Sequence, residues 1–146
     1  MPKMIYVNLP VGDVERSAAF YDAVGFARDQ RFSRQGSAAA MTWSDTIVFM
    51  LLSRERFADF TAKTIIDARS SVEALLCLSR DSRAEVDAIV EAARAAGGKA
   101  DPCPKQDHGF VYGRSFEDLD GHVFEAGWMD VDAALAAMGR QQTEAA

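Results

Sequence analysis

The 146 residues, 49% hydrophobic and 26% charged, are typical of one globular domain with a substantial core. The formal net charge of −6 argues against a surface for nucleic acid or an anionic membrane. The longest apolar run, TIVFMLL at 46–52, is too short to span a membrane, and the opening residues lack the pattern of a signal peptide. We therefore expect a cytoplasmic protein in which Cys77 and Cys103 are reduced and packed.

The first half of the chain predicts a strand, a helix and three further strands. Apolar and polar residues alternate along 4–11, which predicts a half-buried strand. Asp13 is a good N-cap for the helix that follows, and Gly25 ends that helix. Turn sequences then separate three strand patterns, at 26–33, 37–44 and 46–53. Residues 3–53 are therefore expected to form a βαβββ module, followed at 54–71 by a polar linker with one short helix.

The second half repeats this order. A strand at 72–79 precedes a helix that is capped by Asp81 or Ser82 and ends at a glycine pair. The short edge strand KADPCPK and the strands GFVYGRSF and HVFEAGW complete a second βαβββ module, residues 72–129. Residues 130–146 add a short helix and a tail. The chain is thus predicted to be one domain built from a tandem repeat of one supersecondary unit.

Two sequence motifs resemble those of a known family. LPVGDVERSAAFYDAVGF in the first module and FEDLDGHVFEAGW in the second resemble patterns of the vicinal oxygen chelate superfamily, which includes glyoxalase I and the bleomycin-resistance proteins. The resemblance covers about residues 3 to 129, with Leu119 in place of the usual proline, and is greatest to proteins labelled as predicted lactoylglutathione lyases. It implies an α+β fold in which tandem βαβββ modules form a rolled eight-stranded mixed sheet with half-barrel cups. It also implies a homodimer whose partner strands complete each cup.

The resemblance further implies metal ligands on the first and last strands of each module, facing into the cup. Glu125 matches the last-strand position, and about Glu73 falls at the position in the strand that opens the second module. The first-strand position holds Tyr6, seven residues before Asp13, and the fourth strand offers only the apolar FMLL. Tyrosine is a poor ligand for the usual divalent ions. We therefore expect no tightly bound metal, with a divalent ion at Glu125 and Glu73 as the alternative.

Six polar side chains are expected to share the cup: Tyr6, Asn8, Glu73, Tyr112, Arg114 and Glu125. In one interpretation Arg114 binds an anionic group of the substrate while Glu125 and Tyr112 transfer protons. In the other, Arg114 and Glu125 form a buried structural ion pair. His108 either contacts the substrate from a mobile loop or is solvated.

Three function classes follow. The missing ligands favour a protein that binds a small cationic or aromatic molecule in a cup-shaped pocket without a tightly bound metal, as bleomycin-resistance proteins do. The first alternative is a metal-dependent lyase, isomerase or dioxygenase of the lactoylglutathione lyase type. The second is a metal-free enzyme in which Glu125 and Tyr112 carry out proton transfer.

Overall fold

The computed structural model describes the backbone of residues 1–145 and the side chains of residues 1–140. The first module and the linker helix comprise β1 (Ile5–Val11), α1 (Val14–Ala23), β2 (Ala27–Arg34), β3 (Ala38–Ser44), β4 (Ile47–Ser53) and α2 (Arg54–Ala58). The second module and the C-terminal helix comprise β5 (Leu76–Ser79), α3 (Arg83–Ala95), β6 (Lys99–Ala100), β7 (Gln106–Asp107), β8 (Val111–Glu117), β9 (Val123–Met129) and α4 (Val131–Ala145).

The strands form two mixed sheets. The first has the order β1-β4-β3-β2 and the second the order β5-β9-β8-β6, with β7 also paired to β8. In each module the first strand runs parallel to the last, and the other pairs are antiparallel. The predicted α+β class and the tandem βαβββ modules are confirmed. Within the described residues the two sheets are not joined by strand pairing, so β1 and β5 are each left at a sheet edge.

Side-chain oxygens fix where the two module helices begin. Asp13 accepts a hydrogen bond from the backbone N–H of Arg16 at 3.1 Å, as its predicted role as N-cap requires. Ser82, and not Asp81, caps α3 by accepting from the N–H of Glu85 at 3.1 Å. Each module helix therefore begins shortly after the strand that opens its module, with the cap two residues after β1 and three residues after β5.

The two modules share one hydrophobic core, which lies between the sheets and contains one face of α1 and one of α3. Phe49 of β4 and Phe124 of β9 have ring centroids 5.5 Å apart, and Tyr21 of α1 lies 5.8 Å from Phe124. Alternate residues of each strand therefore face away from the core. This outer face carries Asn8 in the first sheet and Glu125 in the second.

The DLDGH turn between β8 and β9 joins the second module to the first. Oδ1 of Asp120 accepts from the backbone N–H of Gly12 at 2.8 Å. Nε2 of His122 lies 2.7 Å from the carbonyl oxygen of Pro10 and therefore donates to it. The turn that sets the start of β9 is thus tied directly to the end of β1.

Three elements differ from their predicted lengths. The edge strand predicted over KADPCPK is reduced to β6, and the additional short strand β7 gives nine strands in place of the predicted eight. Of the strand predicted at 72–79, only the last four residues form β5. These four pair with β9, and the preceding residues belong to the linker. The C-terminal helix α4 is longer than the short helix predicted and extends to Ala145. No helix in residues 1–145 has both the length and the apolar character needed to cross a membrane.

Candidate functional site

The outer face of the first sheet forms a cavity of about 680 Å³, called here the sheet-one cavity. Its floor includes Tyr6 and Asn8 of β1 together with Val48 and Met50 of β4. These residues share a face because Tyr6 is paired with Val48 and Asn8 with Met50 in the parallel ladder. The volume is within the range of sites that take small molecules.

One wall of this cavity comes from an irregular part of β2. The pairing of β2 with β3 shifts register between Asp29 and Arg34, and such irregularities re-aim side chains. Arg31 donates to both carboxylate oxygens of Asp29 at 3.0 and 2.8 Å, which lowers the pKa of Asp29. The Arg31 guanidinium also lies 5.5 Å from the ring centroid of Phe32. The wall therefore presents the ring of Phe32 and the Arg31–Asp29 ion pair to the cavity.

Glu125 lies on the outer face of the second sheet. Its cross-strand neighbours there are Cys77 of β5 and Ser115 of β8. Within residues 1–140 the half-buried Glu125 side chain forms neither a hydrogen bond nor an ion pair. Cys77 is exposed rather than packed, and partial burial and the Glu125 carboxylate raise the pKa of its thiol. A carboxylate beside a thiol is therefore left free on this face.

Arg114 and Tyr112 do not share the cup with Glu125. Ser115 is the residue opposite Glu125, so Arg114 and Tyr112 point to the other side of β8, toward α3. The predicted common pocket and the alternative Arg114–Glu125 ion pair are both wrong for this reason. The guanidinium instead binds three carboxylates, those of Asp101 at 2.7 Å, Glu91 at 2.9 Å and Asp87 at 3.1 Å.

The cluster around Arg114 joins α3 to β8. Arg114 is 7% exposed, whereas the side chains of its partners Asp87 and Glu91 are about half exposed. Hydrogen bonds from Arg114 lower the pKa of Asp101 and Glu91, and these partners raise the pKa of Arg114. Tyr112 donates to Asp87 at 2.7 Å, and this hydrogen bond, together with the one from Arg114, lowers the pKa of that carboxyl. The signal available in the sequence was the acidic pair 87 and 91, one turn apart on the predicted helix.

A second cavity, of about 570 Å³, lies along the free edge of β1 and is called here the linker cavity. It is enclosed by β1, by residues 57–74, by Leu76 and by residues 121–123. Asn8 lines both this cavity and the sheet-one cavity, so the two adjoin.

The remaining predicted site residues are separated. Glu73 lines the linker cavity from an exposed bend before β5, so it is not on the strand to which it was assigned. His108 is exposed after β7, with Nε2 3.3 Å from Oε1 of Gln106, and lines neither cavity. Tyr6 and Asn8 therefore share the sheet-one cavity, and Asn8 and Glu73 share the linker cavity.

The candidate metal ligands lie too far apart to form one coordination site. In the part of the chain with described side chains, no three His, Cys, Asp or Glu residues form a group that could hold a metal ion. Glu125 has only Cys77 and Ser115 as cross-strand neighbours, and Tyr6 supplies a phenol to the outer face of the other sheet. These residues do not form the ligand set that the sequence resemblance implies.

Comparison with known proteins agrees with this architecture. No curated protein matches the chain. Among similar solved structures, hypothetical protein SA1046 from S. aureus is 26% identical, with a TM-score of 0.73 over 88% of this chain and 95% of that one. A glyoxalase/bleomycin resistance protein/dioxygenase family enzyme from Burkholderia phytofirmans PsJN is 23% identical, with a TM-score of 0.69 over 86% and 98%.

A more distant similarity is to FosX, a genomically encoded fosfomycin resistance protein from Listeria monocytogenes. It is 16% identical, with a TM-score of 0.61 over 87% of this chain and 93% of that one, and at this identity the similarity concerns the fold alone. The Glyoxalase/Bleomycin resistance protein/Dioxygenase superfamily model matches residues 3–126, which include the first module and all of the second except the last three residues of β9. The chain therefore belongs to the glyoxalase/bleomycin resistance protein/dioxygenase superfamily.

Proposed function

We propose that the protein binds a small, largely apolar or aromatic molecule in the sheet-one cavity, without a tightly bound metal ion. The observation that carries this proposal is the composition of the cavity lining. Tyr6 and Phe32 offer aromatic faces, and Met50 offers an adaptable apolar surface. The amide of Asn8, which has no hydrogen-bond partner in residues 1–140, is available to orient a polar group of the ligand.

Charge around the cavity supports a neutral or cationic ligand. The carboxylate of Asp29 is already paired with Arg31. Asp45 also lines the cavity and is exposed, with no ion pair among residues 1–140. The local excess of negative charge would attract a cation and repel an anion.

We further propose that the protein is a homodimer in which the partner's strands complete each cup. Each sheet has the first strand of its module at one edge, β1 in the first sheet and β5 in the second, and neither pairs with a further strand among the described residues. Ile5 and Tyr6 are exposed on β1, and Leu75 is exposed just before β5. Unpaired strand edges with exposed apolar side chains favour association. Light scattering should give the mass of a dimer, and Ile5→Lys should shift that mass toward the monomer.

A cytoplasmic location is part of the same proposal. Cys77 and Cys103 are both free thiols, and Cys77 is exposed. An exposed free thiol is better preserved in a reducing compartment than in an oxidising one.

One observation favours the alternative, a metal-dependent lyase, isomerase or dioxygenase of the lactoylglutathione lyase type. Glu125 is half-buried yet has no partner among the described side chains, and such a carboxylate is costly unless it binds something. Its position in the DGHVFE motif is the one that the family resemblance assigns to a ligand.

Metal content separates the two proposals. Chelator-treated protein should bind added Zn²⁺, Mn²⁺, Fe²⁺ or Ni²⁺ only weakly in calorimetry. One tightly bound ion per chain that is lost in Glu125→Gln and retained in Glu55→Gln, an exposed control on α2, would overturn the metal-free proposal.

Ligand binding is tested in parallel by a thermal-shift screen of neutral and cationic aromatic molecules. Neutral hits should raise the melting temperature of the native protein and leave that of Met50→Glu unchanged, because this substitution introduces a charge into the apolar cavity floor. The matched control Leu135→Glu changes an exposed side chain on α4 and should retain the shift. Equal shifts in Met50→Glu and the native protein would contradict the assignment to this cavity.

A further inference from the structure

The walls of the linker cavity are held in place although most of the linker has no regular structure. The guanidinium of Arg54 donates to the carbonyl of Ile65 at 3.2 Å, and that of Arg69 donates to the carbonyl of Leu119 at 3.4 Å. At Gly121, which has a φ of +94°, a Cβ atom would lie only 2.7 Å from the backbone nitrogen of Arg69. Such close packing is available only to glycine, so the turn and the linker are fitted to each other.

The lining of this cavity is mainly aliphatic. Val7, Leu9 and Leu76 come from the strands, and Ile65, Ile66 and Val72 come from the linker. Ile66 is 46% exposed and Val72 64% exposed, although both line a concave surface. Large apolar side chains left open to water in a cavity favour an apolar occupant.

An added β-strand does not suit the Pro10 end of the β1 edge, which borders the linker cavity. Pro10 has no backbone N–H to donate, and its carbonyl oxygen already accepts from Nε2 of His122 at 2.7 Å. The backbone at this end of the edge therefore cannot pair with an extended peptide. A flexible hydrocarbon chain needs no backbone hydrogen bonds and can fill an irregular aliphatic space.

Asn8 connects the linker cavity with the sheet-one cavity, since this residue lines both. We propose that the linker cavity takes the aliphatic chain of an amphiphilic ligand whose aromatic or polar head lies in the sheet-one cavity, with Asn8 at the junction. The inference rests on the proposed function, because the head occupies the site proposed there. It narrows the ligand class to molecules with a ring or polar head and an alkyl chain.

The probes are phenol and its para-alkyl derivatives from ethyl to octyl, with affinities measured by calorimetry on the full chain. Affinity should rise by about fourfold for each methylene that enters the cavity, until the cavity is full. In Val72→Asp this increase should disappear while the affinity for phenol itself stays unchanged. Ile66→Asp provides a second variant of the same wall. The matched control Val131→Asp, on α4, replaces a valine of similar exposure, 58%, and should retain the full dependence on chain length.

Several outcomes would overturn the inference. If the alkylphenols bind with an affinity that does not depend on chain length, the linker cavity does not take the alkyl chain. The proposed function would then still stand. An unchanged dependence on chain length in both Val72→Asp and Ile66→Asp would lead to the same conclusion. If Val72→Asp instead lowers the mass seen by light scattering, this surface is an interface between copies and the inference is wrong. Absence of binding by every probe, with Met50→Glu no different from native, would overturn the proposed function together with the inference.

Discussion

The hydroxyl of Tyr21, in α1, donates a 2.6 Å hydrogen bond to Oδ2 of Asp118, in the turn before β9, and both side chains are buried. Oδ1 of Asp118 accepts from the backbone N–H groups of Asp120 and His122 at 3.0 and 2.8 Å. Burial raises the pKa of Asp118, and burial together with this carboxylate raises the pKa of Tyr21 well above its ordinary value. The pair links the helix of the first module to the turn that leads into the strand carrying Glu125.

Replacing Tyr21 by Phe should lower the free energy of unfolding by about 1–3 kcal/mol, because one buried carboxylate oxygen loses its donor. Urea denaturation followed by circular dichroism measures the change. Tyr6→Phe removes an exposed hydroxyl and should change the free energy of unfolding by less than about 0.5 kcal/mol. Equal effects of the two substitutions would contradict an energetic role for the pair.

The raised pKa of Asp118 predicts a specific pH dependence. Because the folded pKa lies above the unfolded value, near 4, the folded state holds this proton more tightly. The resulting stability is fully present below the unfolded pKa and is lost as pH rises through the folded pKa. Asp118→Asn cannot lose a proton, so the stability of the native protein relative to this variant should decrease as pH rises from about 4 toward neutrality. Urea denaturation over this pH range measures the difference, and a constant difference would show that the carboxyl titrates alike in both states.

Arg114→Met should destabilise the fold by about 1–3 kcal/mol. The cost is below that of breaking a fully buried ion pair, because water can reach the half-exposed Asp87 and Glu91 once the guanidinium is gone. Urea denaturation provides the measurement. Arg56→Met, which breaks an exposed pair with Asp59, is the control and should have a smaller effect.

The same cluster predicts a pH dependence of opposite sign. Hydrogen bonds from Arg114 lower the pKa of Asp101 and Glu91 in the folded state. Their contribution to stability is present above the unfolded pKa and is lost as pH falls through the folded pKa. The advantage of the native protein over Arg114→Met should therefore narrow between about pH 5 and pH 3. An advantage that persists unchanged at pH 3 would mean that packing, and not charge pairing, is responsible.

Gly121→Ala should destabilise the protein more than Gly36→Ala does. Both glycines have a positive φ, of +94° and +79°, so alanine at either position costs about 1–2 kcal/mol. At Gly36 there is nothing within 4 Å of an added Cβ, whereas at Gly121 the backbone of Ala68 and Arg69 must move. Thermal melting measures the stability, and limited proteolysis should detect faster cleavage within residues 61–74 only in Gly121→Ala. Equal cleavage of both variants would contradict the close packing of turn and linker.

The secondary structure was largely predictable because its signals are local. Asp13 and Gly25 delimit α1, and alternating patterns mark the strands near their observed positions. The boundary of β5 was not predictable, because its length is set by how many residues pair with β9. Residues 72–75 were predicted to continue this strand, but they lie in the linker before β5.

The candidate site was predictable only in part, and Arg114 illustrates why. Alternation correctly grouped Tyr112, Arg114 and Phe116 on one face of a strand. Alternation alone does not say which of two faces meets the helices, and that depends on the pairing of Ser115 with Glu125. A shift of one residue in this register would have brought Arg114 to the face of Glu125.

The sequence by itself determined the repeated βαβββ module and the start and end of α1, because each depends on residues close together in the chain. Only the tertiary structure decided that the acidic side chains of α3 bind Arg114, that Glu125 has no partner among the side chains of residues 1–140, and that Asn8 lies between two cavities. These relationships join segments far apart in sequence, and their geometry follows from sheet register and from the packing of two modules on one core. Local patterns contain no information about either.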